Sequence, residues 1–268
     1  MAASLIRKFS INTNLNIFLL FINLAFFTAS IYILQTSDDA NWLLKKVNTY
    51  SPVFDSFKLS MREATYKASF FNSPYSIYRG DPSPEVDAAW EAIQYPAQMH
   101  FSREEIIKLG KDPEAAAKLP EEWGYGKDRY FGVLDGQHLI HCLNLLRQWS
   151  HFDYYFPQYT PQSHAPPLAS AHKDHCVSVL LQHLTCQPSL NVFTYYWMET
   201  QPEPYPDFEI NRKCQNHREL LEWQAEREIA EEYRDLVVER PKGAKFRPAD
   251  PQLAKIEGWV WNGSAPLR

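Results

Sequence analysis

The first long hydrophobic run of the chain lies near its N-terminus. Residues 15–34 carry no charged side chain, and twenty such residues can cross a hydrocarbon layer of roughly 30 Å as a helix. Arg7 and Lys8 precede the run, whereas Asp38 and Asp39 follow it. The positive-inside tendency therefore predicts a single-pass type II membrane protein of the endomembrane or secretory pathway, with a lumenal domain after the anchor. A cleaved signal peptide is the alternative, although its apolar region is usually shorter.

Short amphipathic helices are predicted beyond the anchor. Ser83 and Pro84 fit an N-cap and a first helical position, and Val86, Trp90 and Ile93 share one face of the helix that follows. The sequence therefore predicts that this helix begins at Pro84.

Further along the chain, Ser102 and Glu105 have capping-box spacing before a short helix that Gly110 ends. Residues 218–239 place apolar positions among charges of both signs, which predicts one solvated amphipathic helix. Residues 152–168 are rich in Pro and Tyr and predict a loop, whereas residues 191–198 have the composition of a strand.

A five-residue pattern, His-x-x-His-Cys, occurs twice within forty residues. If both copies are helical, each places two imidazoles and a thiol on one face, with an apolar residue one turn later. The motif residues are His138, His141 and Cys142 in the first copy and His172, His175 and Cys176 in the second.

Two such helices facing each other would bring four imidazoles around a metal ion. A single histidine on an apolar face is more often a hydrogen-bonded core residue, but packing alone does not explain the duplication. We therefore predict that His138, His141, His172 and His175 are metal ligands. The matching cysteines fit either metal ligation or an interhelical disulfide. Such histidine-rich, carboxylate-poor ligands favour copper or zinc, and the sequence leaves that choice open.

Composition and charge narrow the possible partners. The hydrophobic content of 45% supports a substantial core, and the net charge of -5 has no basic block that would suit nucleic acid. The four cysteines all follow the anchor, and an even number in an oxidising lumen permits one or two disulfides. The sequon at Asn262 is a glycosylation acceptor if it faces the lumen.

Several motifs in order resemble the UstYa-like family of fungal secondary-metabolite proteins. They are the segment YRGDPSPEVDAAW, the two repeated motifs joined by HFDYYFP, and CQNHRELLEW, which together cover residues 78–223. Taken together, the helix, strand and loop predictions indicate a mainly α fold with long irregular loops and a few short strands, with a transmembrane helix before one compact lumenal domain. The expected organisation is a cytosolic tail (1–14), a signal anchor (15–34), a spacer (35–77), a UstYa-like metal-binding catalytic domain (78–240) and a C-terminal tail (241–268).

The same resemblance implies an oxidase, an oxidoreductase that uses copper and O2 on a peptide or small natural product. It also implies that the four motif histidines, His138, His141, His172 and His175, are its catalytic residues. Oxidative cyclisation, hydroxylation or a related C–H functionalisation would be its reaction. The expected partners are this substrate, the membrane and a second copy or a related family member. A noncatalytic membrane-anchored scaffold is the alternative, and a zinc hydrolase lacks its usual His-Glu-x-x-His signature.

Some positions depart from the family pattern. Arg212 stands two residues before Cys214, where the family often has a histidine, so that another group such as His217 would have to act. The second copy gains His183, for which we expect a structural or exposed position. We also expect four aromatic residues to lie in the core rather than to line a cavity: Tyr154, Tyr155, Tyr195 and Trp197.

Overall fold

The computed structural model of the protein describes residues 2–37, 41–68, 76–234, 236–248 and 250–257. This part of the chain is mostly helical with a few short strands, as predicted. The α-helices are α1 (Ala2–Ser37), α2 (Trp42–Val47), α3 (Val53–Ser56), α4 (Pro84–Gln94), α5 (Arg103–Lys108), α6 (Asp135–Ser150), α7 (Phe152–Tyr155), α8 (Pro167–Cys186), α9 (His217–Arg227), α10 (Glu231–Arg234) and α11 (Pro251–Glu257). The strands are β1 (Met61–Thr65), β2 (Met99–Ser102), β3 (Arg129–Gly132), β4 (Thr194–Tyr196), β5 (Tyr205–Asp207) and β6 (Asn211–Gln215).

The chain divides into two compact units, residues 1–60 and 61–268. In the first unit, α1 contains a charge-free apolar stretch, Thr13–Leu34, of 22 residues. At 1.5 Å per residue this stretch is about 33 Å long, which suits a membrane span, although a signal sequence has the same character. Farther along, the Asn41 side chain donates a hydrogen bond to the Phe57 carbonyl and accepts one from the Leu59 backbone N–H. This amide ties α2 to the segment after α3.

The strands of the second unit form three antiparallel pairs, β1 with β6, β2 with β3, and β4 with β5. Its core gathers around β2 and β3, where Met99, Tyr130, Trp223 and Ile229 are almost completely buried. The β2–β3 pair therefore lies at the centre of this unit.

Two predicted helix starts are confirmed. The Ser83 hydroxyl accepts a hydrogen bond from the Val86 backbone N–H before α4. At α5, the Ser102 hydroxyl and the Glu105 carboxylate form both halves of a capping box. Because these caps satisfy backbone donors that a helix leaves free, the helices begin where the sequence places them.

The prediction of one helix over residues 218–239 is wrong. Helix α9 ends at Arg227, Glu228 is extended, and a separate short helix, α10, follows. The reason is a tertiary contact. Glu228 forms a β-bridge with Met99, the first residue of β2, and the Ile229 N–H donates to the Gln98 carbonyl over 2.9 Å. Burying Ile229 in this way outweighs the continuation of the helix.

The expectation of core aromatic residues is also mostly wrong. Tyr154, Tyr195 and Trp197 are exposed. All three residues of β4 are exposed, because its two-stranded sheet with β5 leaves both of its faces open. Tyr155 is half-buried, and its hydroxyl donates to Asp87.

Candidate metal centre

The two motif copies lie on α6 and α8, which pack against each other. Asp135 in the first turn of α6 and Arg147 in the last complement the helix dipole. Helix α8 begins with Pro167, whose ring presets the backbone angle of a first helical turn. Both copies are therefore helical, and their shared spacing places each motif on one helical face.

The motif cysteines meet in the seam between the helices. Cys142 and Cys176 are fully buried, and the structure describes both as thiols. Burial raises the pKa of Cys176 to about 12, with a smaller contribution from its hydrogen bond to the Cys142 thiol. The side chains are thus neighbours, as a disulfide requires, and the disulfide itself stays a prediction.

The four histidines form two pairs across the same seam. The ring centroids of His138 and His175 are 5.6 Å apart, and those of His141 and His172 are 5.9 Å apart. His172 and His175 are 6.3 Å apart along α8. The structure therefore brings the two copies to one place, as the metal hypothesis requires.

Three side chains come closest to a ligand set. One ligand atom each from His138, Cys142 and His175 lies within 4.8 Å of the other two. Atoms bound at 2.0–2.3 Å to one tetrahedral ion are about 3.3–3.8 Å apart. The Cys142 Sγ to His138 Nε2 distance is already 3.6 Å. The residues fit an ion after a side-chain adjustment of about 1 Å.

The protonation of the other pair also suits ligation. Burial lowers the pKa of His141, and the neighbouring His172 and His138 lower it further. Although His172 is exposed as a whole residue, partial desolvation of its ring lowers its pKa, with added repulsion from His175 and His138. Because a neutral imidazole is the form that binds a metal, these rings are ready ligands at neutral pH.

His141 has a buried hydrogen-bond partner from a third helix. Its Nδ1 lies 2.9 Å from Gln94 Oε1 at the end of α4, and Gln94 Nε2 donates to the Glu91 carboxylate over 2.6 Å. We did not predict this contact from the sequence. A signal was present, since Gln94 follows Trp90 by one turn and therefore shares its buried face.

The two halves of the cluster differ in exposure. His138 and His141 are half-buried on α6, whereas His172 and His175 are exposed on α8. The cluster is therefore closed on the α6 side and open on the α8 side.

A cavity of about 590 Å³ lies between the same helices. Leu139 and Val179 line it. Leu139 directly follows His138 in the chain, and Val179 follows His175 by four residues, about one helical turn. Its polar lining consists of Asp135, Gln182, His183, Thr185 and Cys186. None of the four cluster histidines lines this cavity, whereas His183 does.

Other predicted residues lie elsewhere. His217 Nε2 is 2.8 Å from the Gln137 amide oxygen, which ties α9 to α6. Arg212 stacks over the Tyr66 ring at 4.5 Å, and its neighbour Cys214 is on β6 as well. Asn262 lies outside the described residues.

Comparison with known proteins identifies related sequences. The family described as "Mycotoxin biosynthesis protein UstYa" matches residues 3–227. The UstYa family oxidase aprY of Aspergillus flavus is 37% identical over 192 residues, which are 69% of this chain and 58% of aprY. The UstYa family oxidase phomYc of Diaporthe leptostromiformis is 28% identical over 199 residues, 73% of this chain and 76% of phomYc. The matched part of the chain thus spans less than two thirds of aprY, and no solved structure matches.

Proposed function

Because the chain belongs to the UstYa family, we propose that it is a membrane-anchored oxidase of fungal secondary metabolism. The names of its relatives aprY and phomYc, both UstYa family oxidases, support this proposal. The observation that carries it is the meeting of the two His-x-x-His-Cys copies across the α6–α8 seam. Family membership also confirms the resemblance predicted from the motifs.

The ligand set supports a metal cofactor, which we propose to be copper with O2 as the oxidant. His138, Cys142 and His175 would hold one ion, and His141 and His172 lie beside them as ligands of the same ion or of a second one. Bound copper supplies the one-electron redox chemistry that links O2 to the oxidation of an unactivated C–H bond or a phenol. The surrounding residues supply the ligands and their orientation.

The cavity supports a peptide or small natural product as substrate. Leu139 and Val179 offer an apolar floor, while Asp135 and Gln182 offer polar groups at the same cavity. A ligand site with this mixture orients its ligand through a few polar contacts and buries its apolar part. A substrate held there would contact residues of α6 and α8 that follow His138 and His175 in the chain, and its position relative to the metal ion would decide between cyclisation, hydroxylation or a related reaction.

The N-terminal helix supports an anchored protein of the secretory pathway. Its stretch Thr13–Leu34 is long and apolar enough to span a membrane. We propose the type II orientation with the second unit in the lumen, from the charges at Arg7, Lys8, Asp38 and Asp39. A second copy or a related family member is the proposed protein partner.

Complementation in the native fungus tests the function. Deleting the gene should remove or alter one secondary metabolite, and the wild-type chain should restore it. His138→Ala should fail to restore it, whereas His164→Ala, which changes an exposed histidine outside the seam, should succeed. An unchanged metabolite profile after deletion contradicts the proposal.

Metal analysis of the purified full-length protein in detergent tests the cofactor. We expect stoichiometric copper, with its affinity lowered by more than about 100-fold in His138→Ala, since even outer-sphere partners of ligands change affinity 10–100-fold. Tightly bound zinc, together with restoration of the metabolite by His138→Ala, would support a noncatalytic scaffold instead.

A further inference from the structure

We infer that Glu91 and Gln94 are positioning residues that hold His141 in its Nδ1–H tautomer and so leave Nε2 free to bind a metal ion. The inference rests on the proposed metal centre, and it concerns which nitrogen of the ring is offered to the ion. Neither residue belongs to the repeated motif.

The geometry begins with α4, which packs against α6. Gln94 is the last residue of α4, its side chain is 8% exposed, and its Oε1 is 2.9 Å from His141 Nδ1. Glu91 lies three residues earlier on the same helix and accepts from Gln94 Nε2 over 2.6 Å. Residues three apart on a helix are surface neighbours, so the α4 backbone itself sets this contact.

The order of donors and acceptors follows from Glu91. A carboxylate accepts hydrogen bonds and donates none, whereas an amide has a donating and an accepting end. Because the Gln94 NH2 group faces Glu91, the Gln94 oxygen faces His141 and can only accept. His141 Nδ1 must therefore carry the proton, and the lone pair of the neutral ring is on Nε2.

This tautomer is the one a metal ligand needs. Histidine ligands commonly donate their second ring N–H to an oxygen, which fixes both the tautomer and the orientation of the ring. His141 stacks at 29° on His172, and that partner ring is exposed. Among the described contacts, the hydrogen bond that His141 Nδ1–H donates to Gln94 Oε1 is the one between a histidine of the two motif copies and a side-chain amide. His141 is therefore the ring of the cluster that the fold fixes most firmly.

A second buried glutamine provides a matched control. Gln137 is 1% exposed, its Nε2 donates to the Ile93 carbonyl over 3.0 Å, and its Oε1 accepts from His217 Nε2 over 2.8 Å. The arrangement is the same, a buried amide that sets the tautomer of a histidine, but His217 lies outside the cluster. Gln137→Met should therefore lower stability without acting on His141.

The experiment uses full-length protein in detergent with 15N-labelled histidine. In the metal-free wild type, two-bond 1H–15N spectra should show His141 as the Nδ1–H tautomer. Gln94→Met removes the acceptor and should move the ring toward the Nε2–H tautomer. Titration with Cu²⁺ alone, against a competing chelator, should show an affinity lower by about 10–100-fold.

Two variants at position 91 separate positioning from packing. Glu91→Gln changes an exposed side chain and frees the Gln94 amide to turn, so the His141 tautomer should become mixed. The double swap Glu91→Gln/Gln94→Glu should restore the wild-type tautomer and Cu²⁺ affinity, because residue 94 then accepts from both neighbours. Folding of each variant is checked by its melting temperature.

The outcomes also separate this inference from the proposed function. If Gln94→Met leaves the His141 tautomer and the Cu²⁺ affinity unchanged while His141→Ala lowers that affinity, the positioning role is overturned and the metal centre stands. If His141→Ala leaves Cu²⁺ affinity unchanged, His141 is no ligand and the positioning role is overturned with it. If His138→Ala and His175→Ala also leave that affinity unchanged, the proposed metal centre falls as well.

Discussion

The two His-x-x-His-Cys copies have the same spacing but different surroundings. On α6 the first copy is packed from several sides, with Leu139, Cys142, Asn144 and Trp149 buried around it. On α8, a helix of twenty residues, Cys176 is the one buried residue. Helical pitch thus explains which side chains share a face, whereas neighbouring elements decide how firmly each face is held. The copy on α6 is therefore held in place by packing, whereas the copy on α8 has few buried contacts that restrict its side chains.

The largest expected effect tests what the copies have in common, their buried thiols. Iodoacetamide should alkylate the exposed Cys186 rapidly. Cys176 should react far more slowly, since raising its pKa from 9.0 to about 12 lowers the thiolate fraction about 1000-fold. A time course of peptide masses measures both rates.

Alkylation of unfolded protein is the control for this difference. All four cysteines should then react at similar rates if the motif thiols are free. Rapid alkylation of Cys176 in the folded protein would contradict a closed seam. Protection of Cys142 and Cys176 that persists after unfolding and disappears with a reductant would establish the predicted disulfide.

A matched pair of leucines tests the difference in packing. Leu139 on α6 is 9% exposed, and Leu181 on α8 is 60% exposed. Leu139→Ala should lower the free energy of unfolding by about 2–5 kcal/mol through lost burial and a cavity. Leu181→Ala should change it by less than about 0.5 kcal/mol. Denaturant titration of the detergent-solubilised chain measures both, and equal losses would show that α8 is covered on its outer face.

Two ion pairs provide a smaller test of the same difference. Arg147 on α6 contacts Asp87 over 2.9 Å and also donates to the Tyr155 hydroxyl, whereas Lys173 on α8 pairs with Asp174, whose carboxylate is 71% exposed. Asp87→Asn should cost about 1–2 kcal/mol of unfolding free energy because charged hydrogen bonds are lost.

Asp174→Asn is the control for that substitution. An exposed pair is worth about 0–1 kcal/mol, so this variant should be close to the wild type in the same titration. If Asp174→Asn lowered the free energy of unfolding more than Asp87→Asn did, the ion pair on α8 would be the more stabilising of the two, which would contradict this prediction.

The smallest expected effect is a loss of folding stability at acid pH, and it originates in the core around β2 and β3 rather than at α8. Burial lowers the pKa of His100, and the charges of Arg129 and Arg227 lower it further, against a smaller opposite effect of Glu105. Below about pH 6.5 the unfolded chain therefore binds a proton that the folded chain does not, so stability falls as pH falls.

His100→Phe keeps a ring next to Tyr125 and removes this proton. The variant should lose less stability than the wild type between pH 6.5 and 5, measured by denaturant titration at each pH. If the free energy of unfolding changed with pH equally in the variant and the wild type, His100 would not couple folding to pH.

Much of the candidate site could be predicted from the sequence because it depends on local rules. Capping at Ser83 and Ser102 and the shared face of each motif follow from spacing alone. The Gln94 contact and the break after Arg227 depend on partners 47 residues away or more, such as His141 for Gln94. The exposed Tyr195 shows the same limit, since aromatic composition predicts a strand but not what covers it.

The open side of the cluster has a consequence for how the proposed metal ion would reach it. Helices α6 and α8 pack against each other along a seam in which Cys142 and Cys176 are fully buried. A metal ion would therefore enter and leave through the exposed histidines of α8 without the buried seam having to open. If the ion is copper, as proposed, the activity of the protein would follow the copper supply of its compartment.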